Sequence, residues 1–435
     1  MDGEAFIDCT VGELAAQTRN SLVGGPFGSD LVSKDYVPTG VPVIRGTNMG
    51  HGRWVYGEFA YVTPEKAESL SSNCAKPGDI VFRQRGTLGQ VALVPKKGAD
   101  RYLISQSQMK LTVDAEKADP MFLYYIFSSA EQQDYIRQNA IQTGVPHTNL
   151  GILRNTPLTL PPLAKQKAIA AALGALDDKI ELNRRMNATL EAMARALFQS
   201  WFVDFDPVRA KLDGRNPVGL DPATAALFPA TFDETNGGHI PHSWRVGSIY
   251  EIAKVIYGAP FASSLFNSEK LGKPLIRIRD LPNESPAVFT SEVHPKGYLL
   301  QPGDIAVGMD GEFRAYLWAG VESWLNQRVC VFAPKPGYSP VFVRNSIISP
   351  LAEVEATETA TTVIHLGKND IDRFTTIIPD APVVEAFERQ CQPCYDRIVA
   401  NKQQSRTLAT LRDTLLPKLL SGELRVTPEK LSPCS

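Results

Sequence analysis

The chain has 435 residues, 43% of them hydrophobic, and its 45 Lys and Arg against 47 Asp and Glu give a formal net charge of −2. That length suggests about three domains at roughly 150 residues each, and the apolar content excludes a disordered chain. Six Cys exclude a disulfide scaffold, no apolar run reaches the ~18 residues of a membrane span, and Met1 to Ala5 lack the basic start of a signal peptide, so a soluble, cytoplasmic protein with no membrane association is expected.

Residues 1–160 read as short β segments broken by Gly and Pro, at 41–45, 79–82, 90–94 and 109–113, with one amphipathic helix over 120–138. Residues 163–200 are nearly free of Gly and Pro and rich in Ala, Leu, Glu, Lys, Arg and Gln, which predicts a long helix. Residues 207–240 are punctuated by Gly and Pro and read as a linker. Short β segments return over 241–380, and 383–416 is a second long helical run.

This order is an internal duplication. Pro161 matches Pro379, and the same offset of 218 sets Asp178 on Asp396, Asn183 on Asn401 and Leu197 on Leu415. The β blocks repeat with changed loop lengths. Pro77-Gly78-Asp79-Ile80 matches Pro302-Gly303-Asp304-Ile305, Gly40 to Arg45 matches Gly272 to Arg277, and Gly25-Pro26-Phe27-Gly28-Ser29 echoes Ala259-Pro260-Phe261-Ala262-Ser263.

Each helix carries a stripe spaced alternately by four and three, from Ile169 through Asn183 to Leu197 and from Phe387 through Asn401 to Leu415. That spacing predicts a mutual coiled coil. Antiparallel pairing leaves the linker a short path and gives a pseudo-two-fold axis. The expected fold is therefore α+β: two β-rich domains joined by two long helices in an antiparallel coiled coil. Asn183 and Asn401, at the stripe midpoints, are expected to meet and set the register at some cost in stability.

Several segments resemble the specificity subunits of type I restriction–modification systems. Leu197-Phe198-Gln199-Ser200-Trp201-Phe202-Val203-Asp204-Phe205-Asp206-Pro207-Val208 resembles the end of that family's central helix, and Leu160-Pro161-Pro162-Leu163 with Ala164 to Ile169 resembles its start. Ile240-Pro241-His242-Ser243-Trp244 resembles the approach to a second target recognition domain, and Leu415 to Leu424 the end of the distal helix. Departures are Asp380-Ala381-Pro382-Val383 and Cys391-Gln392-Pro393-Cys394, whose Pro is expected to kink the distal helix. The resemblance divides the chain into a target recognition domain over 1–160, a central coiled-coil helix over 161–206, a linker over 207–240, a second recognition domain over 241–380, a distal helix over 381–425 and a tail over 426–435. It implies that each β domain reads one half of a split double-stranded DNA target while the helices set the spacer. It also implies docking of two modification (methyltransferase) subunits, with restriction (translocase and nuclease) subunits joining through the complex.

No enzyme is expected. The chain lacks a phosphate-binding Gly-x-x-x-x-Gly-Lys-Ser/Thr and an Asp/Asn-Pro-Pro-aromatic tetrapeptide. Asp79 and Asp304 follow Pro-Gly and read as turn residues. Cys391 and Cys394 have no second pair to complete a zinc site, so no catalytic residue, metal or cofactor is expected. DNA contacts should come from Arg and polar residues near Gly-rich turns: Arg45, Asn48, Arg53, Arg83, Arg85 and Thr87 in the first reader, and Arg277, Arg279, Arg314, Asn326, Gln327 and Arg328 in the second. The alternative is a non-catalytic coiled-coil scaffold with two peptide- or glycan-binding β domains.

Overall fold

The computed structural model describes residues 6–50, 52–142, 145–235, 238–357 and 364–426. Met1 to Ala5, Asn236 and Gly237 of the expected linker, and 427–435 of the expected tail lie outside the described residues. The chain forms two compact units, residues 1–181 with 406–435, and residues 182–405. Each holds one β-rich block and a stretch of both long helices, Leu163–Phe202 and Ala381–Ser421.

The first unit contains β1 (Ile7–Thr10), β2 (Leu22–Gly24), β3 (Tyr36–Val37), β4 (Val41–Ile44), β5 (Ala60–Val62), β6 (Cys74–Ala75), β7 (Ile80–Arg83), β8 (Val91–Leu93), β9 (Tyr102–Ile104), β10 (Gln108–Leu111) and β11 (Pro157–Leu160). They form a four-stranded sheet β2-β10-β7-β8, a five-stranded sheet β3-β5-β4-β9-β6 and the pair β1-β11. Only β4 and β9 run parallel. The strand alternation has period two, yet both faces of the four-stranded sheet are buried. Ile80, Phe82, Leu93 and Met109 pack with Phe122, Leu123 and Phe127 on one face. Val81 and Ala92 pack with Ile44 and Ile104 on the other.

The expected helix over 120–138 is two helices, Pro120–Ser128 and Ala130–Gln138. Ser129 between them is extended, and its hydroxyl accepts from the Gln132 amide to cap the second. The long helix after Pro161-Pro162 is pinned at its start by Gln166. Its side chain accepts from the Asp119 amide at 3.0 Å and donates to the Pro161 carbonyl at 2.9 Å.

In the second unit β12 (Phe232–Thr235) and β13 (Gly238–Pro241) form a hairpin. There follow β14 (Arg245–Ser248), β15 (Ala253–Tyr257), β16 (Phe266–Asn267), β17 (Lys273–Ile276), β18 (Val288–Thr290), β19 (Leu299–Leu300), β20 (Ile305–Gly308), β21 (Ala315–Leu317), β22 (Ser323–Leu325), β23 (Val329–Pro334) and β24 (Thr375–Ile378). The sheets are β15-β23-β20-β21, β16-β18-β17-β22-β19 and β14-β24. Strand for strand, this is the order of the first unit. The two-sided burial recurs, with Ile305 and Val307 on one face and Ala306, Val329 and Val331 on the other.

The described residues of 207–240 are more ordered than a linker reading implies. They carry helices Asp206–Leu212 and Pro222–Ala226 besides the hairpin. Val208 and Phe228 are buried in the same core as Trp201, because the aromatic end of the first long helix needs covering.

The first long helix and the second run antiparallel. In the second unit Phe202 packs on Phe387, while Asn187 meets Asn401 and Asn183 meets Ser405. In the first unit the Arg412 guanidinium donates to Asp177 at 2.7 Å, and Ile169 and Leu173 share a core with Leu416 and Leu419. The second helix is continuous through Pro393. Asn183 and Asn401 are both buried, but their amides do not exchange hydrogen bonds as expected. Each contacts the polar residue one turn along the other helix. Asn183 Nδ2 donates to Gln404 Oε1 at 2.9 Å, Ser405 Oγ at 3.2 Å and the Asn401 carbonyl at 3.3 Å. Asn401 Nδ2 donates to Asn187 Oδ1 at 2.8 Å. The contact lines Asn183–Ser405 and Asn187–Asn401 place the local symmetry point near residues 185 and 403, two residues beyond the stripe midpoints.

Changing Asn401 to Leu removes the donor to Asn187 and puts a branched apolar group against the Asn183 amide. Thermal unfolding of the full chain should show a loss of roughly 1–3 kcal/mol, the cost of leaving the half-buried Asn187 oxygen without its donor.

Candidate nucleic-acid interface

A sheet buried on both faces can offer ligand contacts only from its ends. In the first unit one short turn, 105–108, gathers the loops at such an end. The Ser105 amide donates to Ile44 O, the Gln84 amide to Ser107 O and the Gly25 amide to Gln108 O, at 3.0, 2.8 and 2.8 Å. Gln106 Nε2 adds bonds to Gly28 O and Leu31 O. Three loops, 25–31, 45–48 and 84–89, are thereby tied to one hub. A side chain on Gly25 would place its Cβ 2.0 Å from the Ser105 carbonyl oxygen, so the approach requires glycine there.

The second unit repeats this hub at 326–329. The Asn326 amide donates to Ile276 O at 3.1 Å, Met309 N to Arg328 O at 2.9 Å and Gly258 N to Val329 O at 3.0 Å. Gly258 approaches Asn326 O as closely as Gly25 approaches Ser105. The hub turn of the first unit was not singled out from the sequence. Its signal is a glycine ahead of each repeated Pro-Phe, Gly25 directly before Pro26 and Gly258 one residue further back.

The hubs sort the expected contact residues. Arg45, Arg85 and Thr87 are exposed on hub loops, and among the described residues neither guanidinium is ion-paired. Arg83 is half-buried and braces the loops, donating to Arg85 O at 2.9 Å and to Gln90 Oε1 at 2.7 Å. Two expectations need correction. Asn48 is 1% exposed; its Oδ1 accepts from the Arg45 amide and its Nδ2 donates to Tyr56 O and Glu58 O. It closes a turn and has no group left for a base edge. Arg53 is 7% exposed; it donates to the Gly174 carbonyl at 2.9 Å, pairs with Asp178 and lies over Trp54. It fastens the β block to the long helix and cannot reach DNA without leaving that seat.

In the second unit Arg279 and Gln327 are exposed and Asn326 is half-buried. The other cations face acids. Arg277 donates to Asp280 at 2.9 Å, Arg314 to Glu355 at 2.7 Å, and Arg328 lies 3.5 Å from Asp310, which also takes His365 at 2.7 Å. The contrast with Arg45 has a local cause: Asp280 closes in the second unit the turn that Asn48 closes in the first. Likewise Arg85 bridges His147 through the backbone where Asp310 bridges His365.

Asp79 and Asp304 are turn residues. Asp79 accepts from Lys76 N at 2.9 Å and from Lys110 at 3.2 Å. Asp304 accepts from Gln301 N and Tyr298 Oη, and burial pushes its carboxyl up. Burial also pushes the Cys391 thiol up to about 12, which disfavours the thiolate that redox or metal chemistry needs. Among the described residues no group of His, Cys, Asp or Glu could hold a metal ion, and no helix is long and apolar enough to cross a membrane.

The segment at 197–208 owes its composition to packing. Phe198, Trp201, Phe202 and Phe205 pack with Phe342, Phe387, Phe228 and Trp244 at ring separations of 4.9–6.0 Å. Phe205 has φ +56°, which turns the chain out of the helix. Beside this end lies a cleft of about 560 Å³ that also touches β24. The first unit has a cleft of about 1210 Å³ at the matching place, between β11, the helix 130–138 and residues 412–421 of the second long helix.

Residues 33–192 match the family described as the type I restriction modification DNA specificity domain. The chain is 26% identical over 404 residues to the type I restriction enzyme HindI specificity subunit of Haemophilus influenzae, covering 80% of this chain and 87% of that protein. It is 25% identical over 421 residues to the MjaIX specificity subunit of Methanocaldococcus jannaschii, covering 93% and 91%. The fold matches the crystal structure of the type I restriction–modification S subunit from M. genitalium with a TM-score of 0.54 at 16% identity, over 96% of this chain and 97% of that one. Over most of its length the chain is thus similar to specificity subunits of type I restriction–modification systems.

Arg53 and Arg85 should separate in experiment. Arg53→Ala should destabilise the fold by about 1–3 kcal/mol, through the lost buried bonds, and leave the salt dependence of DNA binding unchanged. Arg85→Ala should change stability by no more than about 0.5 kcal/mol while weakening binding. Paired thermal melts and salt titrations of the assembled complex check both.

Proposed function

We propose that each β unit reads one half of a bipartite double-stranded DNA target through the loops of its hub, and that the two long helices act as an antiparallel coiled-coil ruler for the spacer. The observation that carries this is the duplicated hub: the same backbone bonds gather corresponding loops in both units, with different side chains on them. Two readers on one repeat suit a split target, since duplex DNA has near-dyad symmetry and reader separation sets half-site spacing. Exposed Arg45, Arg85, Thr87, Arg279 and Gln327 supply donors of the kind that read guanine and adenine edges. Asn183 and Asn401 hold the helix register through their polar partners.

The chain itself performs no chemistry. Methyl transfer comes from two modification subunits, and translocation and cleavage from restriction subunits joining the complex in the cytoplasm. Two clefts at matching places, each beside the end of a long helix, support two copies of one modification partner. A complex is also required for tight binding. With a net charge of −2 and several cations facing acids, few phosphates can be neutralised by this chain alone.

Genome-wide mapping of methylation by the chain with its modification subunits tests the reading, which predicts a bipartite motif with a fixed spacer. Methylation without a sequence motif would refute it and leave the scaffold reading. Replacing residues 6–160 with another family member's first β domain should then alter one half-site only. Inserting a heptad after Arg185 and another after Gln403 lengthens both helices by roughly 10 Å. The spacer should grow by about three base pairs at 3.4 Å each, and an unchanged spacer would sink the ruler.

A further inference from the structure

The repeat matches Phe27 with Phe261, two residues after the hub glycine in the first unit and three after it in the second, yet their surroundings are opposite. Phe261 is 7% exposed and packs with Trp324 and His294, both at 5.5 Å. Phe27 is 83% exposed. The cause is one strand position. Trp324 lies opposite Leu275 on the hub strand of the second unit, and the matching place in the first unit, opposite Val43, is Leu103. Leu103 is itself fully buried against Val62 and Leu31, and it offers no ring to cover Phe27.

Exposure of a large ring is not explained by a loose loop. The Gly25 amide is bonded to Gln108 O at 2.8 Å, the Asp30 amide to Phe27 O at 2.9 Å, and Gln106 holds Gly28 O and Leu31 O. The ring is presented on a braced turn, with Pro26 restricting the backbone before it. That turn shares its hub with the loops bearing Arg45, Arg85 and Thr87. An apolar ring on a loop that shares its hub with loops bearing exposed guanidinium groups is the composition of a nucleic-acid contact that joins phosphate attraction to base stacking.

Resting on the reading of this chain as a DNA-recognition subunit, we propose that Phe27 is a wedge that stacks against a base face at one step of the half-site read by the first unit. At the matching place in the second unit Phe261 is covered by Trp324 and offers no such wedge. The distortion is therefore confined to one half of the target. A braced wedge needs little reordering on binding, so unstacking the DNA step is the main cost it must offset.

The test uses the full chain assembled with its modification subunits and a synthetic duplex bearing the target mapped by methylation. 2-Aminopurine replaces one base at a time in each half-site. The wild-type complex should raise fluorescence at a single step of the first half-site and at none in the second. Phe27→Ala should abolish that signal and weaken binding roughly tenfold, the scale of one lost base–aromatic stack. Phe27→Trp should restore both. Because the ring is exposed, thermal melting of the variants should match the wild type. A Phe27→Ala complex with wild-type affinity and fluorescence overturns the wedge. So does a variant that no longer assembles with the modification subunits, since Phe27 would then be a protein contact. Failure of the wild-type complex to bind any bipartite duplex is a different result, and it overturns the functional reading and the wedge together.

Discussion

Both units depend on a four-stranded sheet that is buried on both faces. Ile80 and Phe82 point one way and Val81 the other, and all are buried. Such a sheet has no wet face on which to mount polar contacts, since an unpaired buried polar group costs more than it returns. Polar chemistry is displaced to the strand ends. There the chain must also satisfy its backbone groups, and the turns 105–108 and 326–329 do both at once. Their amides and carbonyls bond the neighbouring loops and leave the side chains of those loops free to differ. A rigid backbone with variable side chains is what two readers of different sequences require.

The long helices were legible because their signals are local. Composition, the absence of breakers and the stripe from Ile169 to Leu197 all act within a few turns. The offset of 218 exposed the repeat for the same reason. What escaped detection depends on contacts distant in the chain. Arg53 resembles any surface Arg near glycines, and its burial is decided by Gly174 and Asp178 on another element. Asn48 looks like a polar reader until the backbone of Tyr56 and Glu58 folds over it. Ser129 breaks a helix that hydrophobic periodicity runs through, because a capping hydroxyl competes with the backbone bond. Phe27 and Phe261 have nearly the same neighbours in sequence, and only the residue on an adjacent strand tells them apart.

The polar contact between the helices follows a related logic. Leu at every stripe position would tolerate a slip of one turn. Asn183 and Asn401 do not, because each amide has its acceptors at one place on the other helix. The repeat makes the arrangement self-consistent, since Ser405 stands in the second helix where Asn187 stands in the first. Each helix thus supplies one buried donor and one acceptor station, four residues apart. The fastenings of the β blocks follow no such sameness. Arg53 reaches an acid on the first helix, whereas Glu284 accepts from Lys402 on the second at 2.9 Å.

On the function proposed above, the acid partners of Arg277, Arg314 and Arg328 bear on how the protein would spend its time in a cell. A free guanidinium is attracted to any phosphate, and a genome offers on the order of a million to a billion wrong addresses. A guanidinium already held by a carboxylate must give up that bond first, and only a site that returns it in full makes the trade favourable. Residence on random sequence is then brief, and the search spends more of its time moving between sites than pausing on them. Restraint in the unbound state, as much as attraction in the bound one, sets how quickly a scarce target is found.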